Sequence, residues 1–151
     1  MSFFGSMDIA TTGLTSQRLR LDIITQNIVN VNTTRTEDGG PYQRQVALFE
    51  AISDSNTFED VLRKQVMGTS TNNEVSGGVR ITGIVGDEAE FPVMYDPSHP
   101  DANEDGYVEL PNVNIVDEMV DMISASRSYE ASVTAFNNMK AMAGKALELG
   151  Q

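Results

Sequence analysis

Apolar residues near the start of the chain recur at alternating spacings of three and four: Met7, Ala10, Leu14, Leu21, Ile24, Ile28 and Val31, with Gln17 as one polar member. That period predicts an amphipathic helix with a coiled-coil seam. It opens near Ser6, an effective N-cap, with Asp8 in its first turn. It ends between Asn30 and Thr33, where Asn27, Asn30, Asn32, Thr33 and Thr34 offer side chains that compete for backbone hydrogen bonds. A second seam runs through Ile115, Met119, Met122, Ser126, Tyr129, Val133, Phe136, Lys140, Ala143 and Leu147. Here the start signal is Asn114, followed by the acidic turn Asp117, Glu118 and Asp121, and Lys140 and Lys145 suit the far end of the helix dipole. Gly144 is its weak link, and Gly150 is the expected C-terminal stop.

Between the seams the period changes. Residues 37–41 (Glu-Asp-Gly-Gly-Pro) form a turn leading into a strand over 42–49, with Tyr42, Arg44, Val46 and Leu48 on one face. A short helix is predicted over 57–67 and a polar loop over 70–78. Further strands are predicted at 79–85, at 91–95, where Pro92 confines the strand to an edge, and at 107–110. The fold class is therefore mainly α with a small β insert: two long terminal helices forming a coiled-coil-like hairpin around a central β-rich segment. The divisions are an N-terminal assembly helix over 1–33, a central acidic segment over 34–113 and a C-terminal assembly helix over 114–151.

Charge sharpens this division. The 151 residues carry a net charge of −12, yet residues 1–32 sum to zero and residues 114–151 to −2, which leaves −10 in the middle. Near-neutral ends can pack against copies of themselves while an acidic middle stays solvated. That middle would repel a phosphate backbone, which excludes nucleic acid as a partner. No run approaches the roughly 18 apolar residues of a membrane span. The first residues also lack the basic and continuous apolar regions of a cleaved signal peptide.

Candidate chemistry is sparse. The chain has no cysteine and a single histidine, His99, between Ser98 and Pro100. Thiolate and imidazole-rich metal sites are thereby excluded, and His99 is read as an exposed loop residue. The run Asp101-Ala102-Asn103-Glu104-Asp105-Gly106 imitates the first half of a calcium loop. Its closing position is Asn112 instead of a bidentate Glu, and Pro97 and Pro100 forbid the entering helix, so it is read as an acidic turn. Met119, Met122, Met139 and Met142 are read as adaptable packing in preference to a peptide groove. No catalytic, cofactor or metal residue is assigned, and no enzyme activity is expected. Asn27 and Asn30 admit two readings: polarity at a helix end, or polar residues that fix the register of an interhelical interface.

Ile23-Ile24-Thr25-Gln26-Asn27-Ile28-Val29-Asn30-Val31-Asn32-Thr33 resembles the N-terminal signature of bacterial flagellar basal-body rod and hook proteins, with departures at Gln26 and Val29. Gly106-Tyr107-Val108, Pro111-Asn112-Val113, Glu118-Met119 and the run from Ser124 to Ala131 look like the C-terminal half of a proximal-rod member of that family. The final residues 147–151 are also similar to its ending. The resemblance implies a structural subunit of the periplasmic rod, assembling with itself and other rod proteins. It also implies passage through the flagellar type III export apparatus without a cleaved signal peptide. Assembly residues are expected on the first helix at Met7, Leu14, Leu21, Ile24, Asn27, Ile28, Asn30 and Asn32. On the last helix they are expected at Ile115, Met119, Met122, Ser126, Arg127, Tyr129, Val133, Phe136 and Leu147. The alternative is a helical-hairpin chaperone or adaptor of a secretion system.

Overall fold

In the computed structural model, the described residues are 3–37, 39–52, 62 and 77–148, the side chains of Phe3 and Phe4 excepted. The order is α1 (Phe3–Val29), β1 (Gln45–Ala51), β2 (Val79–Gly86), β3 (Val93–Tyr95), β4 (Tyr107–Glu109) and α2 (Ile115–Glu148). Two terminal helices thus enclose a small β-rich segment, as the patterning requires. The helix expected over 57–67 and the loop over 70–78 lie outside the described residues, apart from Leu62, Gly77 and Gly78.

Local chemistry sets the boundaries. Helix α1 opens at Phe3 instead of Ser6, since residues 3–5 contain no proline to block another turn. It stops where expected. The Asn30 side chain donates to the Gln26 carbonyl at 2.9 Å, which also accepts from the Asn30 amide at 3.1 Å, and accepts from the Thr33 hydroxyl at 3.2 Å, so local bonds close the helix end. At the start of α2 the Asn114 Oδ1 accepts from the Val116 amide at 3.0 Å, the N-cap bond its position predicted. Strand β1 begins three residues later than expected, at Gln45, because Tyr42 and Arg44 are committed elsewhere.

The strands form two two-stranded sheets, β1 with β2 and β3 with β4. Arg44 O accepts from Asp87 N at 2.7 Å and Gly78 O accepts from Ile52 N at 2.9 Å, so β1 and β2 run antiparallel. In the second sheet Val93 pairs with Glu109, Met94 with Val108 and Tyr95 with Tyr107. On one face Val108 is only 1% exposed, while its partner Met94 stays open at 46%. The connection between β3 and β4 holds the calcium-loop lookalike, and the side-chain oxygens of its first two ligand positions are already engaged. Asp101 accepts from the Thr34 hydroxyl at 2.8 Å and lies 3.6 Å from Arg35, while the Asn103 Oδ1 accepts from the amides of Asp105 and Tyr107. His99 is half-buried, not exposed as expected, because its Nδ1 accepts from the Asp101 amide at 3.1 Å and turns the ring into the loop.

The chain divides into two compact units. One comprises Met1–Gln17, Phe49–Thr82 and Ser128–Gln151. In it, Thr12 accepts from the Val79 amide and Ser16 donates to the Val79 carbonyl, both at 3.2 Å, so two hydroxyls of α1 satisfy the first residue of β2. Gly78 lets Thr12 approach, since an added Cβ would stand 3.1 Å from its hydroxyl. The other unit, Arg18–Leu48 with Gly83–Arg127, holds the buried hydrophobic residues Ile23, Ile24, Tyr42, Val108 and Ala125. Within it, Arg20 meets Asp121 and Asn27 meets Glu118, so the end of α1 runs antiparallel beside the first turns of α2.

The turn before β4 depends on Gly106, which has φ of 80° and would place a Cβ 3.1 Å from the Tyr95 ring and 3.2 Å from Pro97. Gly106→Ala is expected to cost about 1–3 kcal/mol, read as a lower thermal midpoint with altered near-ultraviolet tyrosine dichroism.

Candidate assembly site

Asn27 is 1% exposed and uses its full hydrogen-bonding capacity. Its Nδ2 donates to the Gln45 carbonyl at 2.9 Å and to Glu118 Oε2 at 3.2 Å. Its Oδ1 accepts from the Gln45 amide and the Tyr42 hydroxyl, both at 3.0 Å. The side-chain amide therefore stands in for a neighbouring strand at the first residue of β1, and an α-helix is joined to a strand edge with no buried backbone group left open.

Glu118 is 0% exposed, so its charge must be answered locally. Arg44 does so, with Nε donating to Oε1 at 2.6 Å. The same guanidinium lies 3.2 Å from Asp87 and 3.6 Å from Asp121, and Arg20 reaches Asp121 at 2.9 Å. Asn112 fixes the approach of Arg44 by accepting from its backbone amide at 2.7 Å while donating to the carbonyls of Asp87 and Ala89. Burial disfavours the Arg44 charge, but the bonds to Glu118 and then Asp87 outweigh it and raise its pKa. Tyr42 is raised by burial and by the Glu118 charge, which keeps its phenol a proton donor.

The expected assembly residues divide between covered and open positions. Ile24 and Asn27 are buried; Met7, Leu14, Leu21, Ile28 and Asn30 are half-buried, and Asn32 is exposed. Of the two readings of the asparagines, Asn30 serves the helix end and Asn27 fixes α1 against β1 and α2 of the same chain. On α2, Met122, Ser126, Tyr129, Val133 and Phe136 are half-buried, while Ile115, Met119, Arg127 and Leu147 are exposed. The covered seam of this helix passes through positions 118, 122, 125, 129, 132, 136, 139 and 143. It keeps the heptad spacing but is displaced by one residue from the apolar seam at several turns. The physical reason is Glu118: its hydrogen bonds turn a polar position inward, and the apolar residues beside it turn out. Val116, Met119, Val120 and Ile123 consequently form an exposed stripe, 56–67% open to solvent. On α1, Gln26 and Val29 are both exposed, so the two departures from the family signature sit where side-chain size matters least.

Glu118, Arg44 and Tyr42 were not expected as partners. Glu118 reads from sequence as part of a dipole-favouring first turn, and Arg44 as one residue of a strand. The heptad offset of Glu118 from the later covered positions was the available signal. Truncating Arg44 leaves Glu118 as an unpaired buried charge, so Arg44→Met is expected to cost about 3–5 kcal/mol in denaturant unfolding, with Glu118→Gln on that background recovering part of the loss. The raised Tyr42 pKa means the folded state favours the protonated phenol. Its contribution is present below the ordinary tyrosine range near ~10 and is lost as pH rises through the folded value, so alkaline destabilisation should be shallower in Tyr42→Phe when stability is followed against pH.

Comparison with known proteins places these residues in a family. Residues 7–35 match the family described as "Flagella basal body rod protein", and residues 104–149 match "Flagellar basal body rod FlgEFG protein C-terminal". Asn27 falls in the first window and Glu118 with the exposed stripe in the second, whereas Tyr42 and Arg44 lie in neither. The chain is 46% identical to the flagellar basal-body rod protein FlgC of Borreliella burgdorferi, 39% to that of Bacillus subtilis and 33% to that of an Escherichia coli O6:H1 strain. Each alignment covers 100% of this chain and 99–100% of the relative. On likeness over its whole length, and on both matched windows, this chain belongs to the FlgC family of flagellar basal-body rod proteins.

Proposed function

We propose that this structural rod subunit polymerises through its terminal helices, with further copies and other rod proteins as neighbours. The functional divisions are then the assembly helices over 1–33 and 114–151 and the acidic central segment over 34–113. In this reading the helices act as a coiled-coil-like hairpin in the proximal rod, a drive shaft crossing the periplasm. The chain reaches it through the flagellar type III export apparatus without a cleaved signal peptide, and performs no catalysis.

The observation that carries the reading is the exposed stripe Val116, Met119, Val120 and Ile123. Four large apolar side chains stand open on the far face of a helix whose near face is already packed. Burial at roughly 25 cal/mol per Å² would reward a partner that covers them. Among the described residues no helix is long and apolar enough to cross a membrane, so the stripe is not part of a helical span.

Met119→Asp tests this directly. Because Met119 is exposed, the monomer should keep its stability within about ±0.5 kcal/mol. In the rod the new carboxylate would be buried unpaired at a cost of several kcal/mol, so rod incorporation and motility should be lost. Glu88→Lys, at an exposed position of the acidic segment, should be tolerated in the same motility assay. Normal assembly of the Met119→Asp chain would refute the terminal-helix reading.

A further inference from the structure

A rod that lengthens by adding like subunits needs a heterologous contact, in which the patch offered by one copy meets a different patch on the next; a patch that meets itself closes a dimer and stops growth. The α2 stripe is one such patch, and it carries its own charge. Val116, Met119, Val120 and Ile123 are continued at helical spacing by exposed Arg127, so the stripe is about 10 Å of apolar surface with a cation about 6 Å beyond it.

The same compact unit presents a second open surface with the opposite charge. Directly paired residues of an antiparallel sheet share a face, so Val93, Tyr95, Tyr107 and Glu109 lie together, opposite the face that buries Val108. Tyr95 is 65% and Tyr107 45% exposed, and their rings form an edge-to-face pair with centroids 5.2 Å apart. The pair is held rigid. Gly106 brings the turn under the Tyr95 ring, Asp96 N donates to Gly106 O at 3.0 Å and Leu110 N donates to Pro92 O at 2.8 Å. Rigid aromatics lose little entropy on contact and are favoured interface anchors. The charged residues of the sheet and its turn are acidic, with Glu109 on the face itself, Glu104 and Asp105 in the adjoining turn and Asp96 beside Tyr95, while Arg35, which lines a cavity with Tyr107 and Glu109, is already 3.6 Å from Asp101.

We propose that the tyrosine face of one copy receives the α2 stripe of the next, with Val93, Tyr95 and Tyr107 covering Met119 and Ile123 and Glu109 meeting Arg127. The inference rests on the reading that the chain polymerises, and it names the acceptor which that reading leaves open. Charge favours this acceptor, because the one cation of the stripe meets a carboxylate there.

The absence of native cysteine makes the contact testable with single substitutions in the purified full chain at high concentration. Chains carrying Met119→Cys are mixed with chains carrying Tyr95→Cys and oxidised; both positions are exposed, so both variants fold. The mixed disulfide should exceed that from Met119→Cys with Glu50→Cys by about tenfold. Arg127→Glu in the first chain should lower the yield severalfold, and Glu109→Arg in the second should restore it. A mixed disulfide no more abundant than the control, or a dominant Met119→Cys homodimer, overturns the proposal, and failure of the charge swap to restore the yield overturns the Arg127 contact. If Met119→Asp still abolishes rod incorporation while the mixed disulfide is absent, the acceptor is wrong and polymerisation through the helix stands. If Met119→Asp chains assemble normally, both readings fall.

Discussion

One carboxamide holds the helices and strands of the larger core together. The Asn27 side chain occupies both backbone groups of Gln45 and still reaches Tyr42 and Glu118, so it answers four polar groups that burial would otherwise leave open. Leaving such groups unpaired costs about 1–3 kcal/mol each, far more than the net gain of an average hydrogen bond. That asymmetry is why a polar residue can sit at the most enclosed position of an apolar helix face. It also explains why Arg44 must follow, because the carboxylate that Asn27 touches is stable in the interior only while it is paired.

The other unit repeats the device with different atoms. Thr12 and Ser16 together serve the amide and carbonyl of Val79, as Asn27 alone serves those of Gln45. In both places side chains of α1 replace a missing neighbour at the first residue of a strand, Gln45 of β1 and Val79 of β2, which pair in one sheet. A two-stranded ribbon is marginal in water because both of its edges are open. Here part of each open edge of the β1–β2 sheet is closed by the helix, which supports that sheet in a chain with few aromatic anchors.

These polar attachments also determine which surfaces remain open. A helix rotated to place its most apolar residues inward would bury Met119 and expose Glu118. The hydrogen bonds of Glu118 impose the other rotation, so Val116, Met119, Val120 and Ile123 stay outside and an apolar exterior face remains beside the paired Asn27, Glu118 and Arg44. For a rod subunit that combination is useful. The interior fixes the shape of the unit, and the uncovered apolar surface is available to a partner.

Periodicity alone determined both helices to within a few residues, and turn chemistry located the four strands, because 3.6-residue and two-residue repeats and the bonding habits of Asn, Gly and Pro are local properties. The sequence also singled out Asn27 and Asn30, and distinguished near-neutral ends from an acidic middle. It did not determine which helix face would be covered. That choice turned on Tyr42, Arg44 and Glu118 converging from 15 to 91 residues away in sequence from Asn27 or from one another. Only the tertiary structure brings them within hydrogen-bonding distance, and a buried charge with a partner obeys a different rule from the same charge read alone. Apolar spacing therefore identified the seams, while paired polar groups decided how each seam was turned.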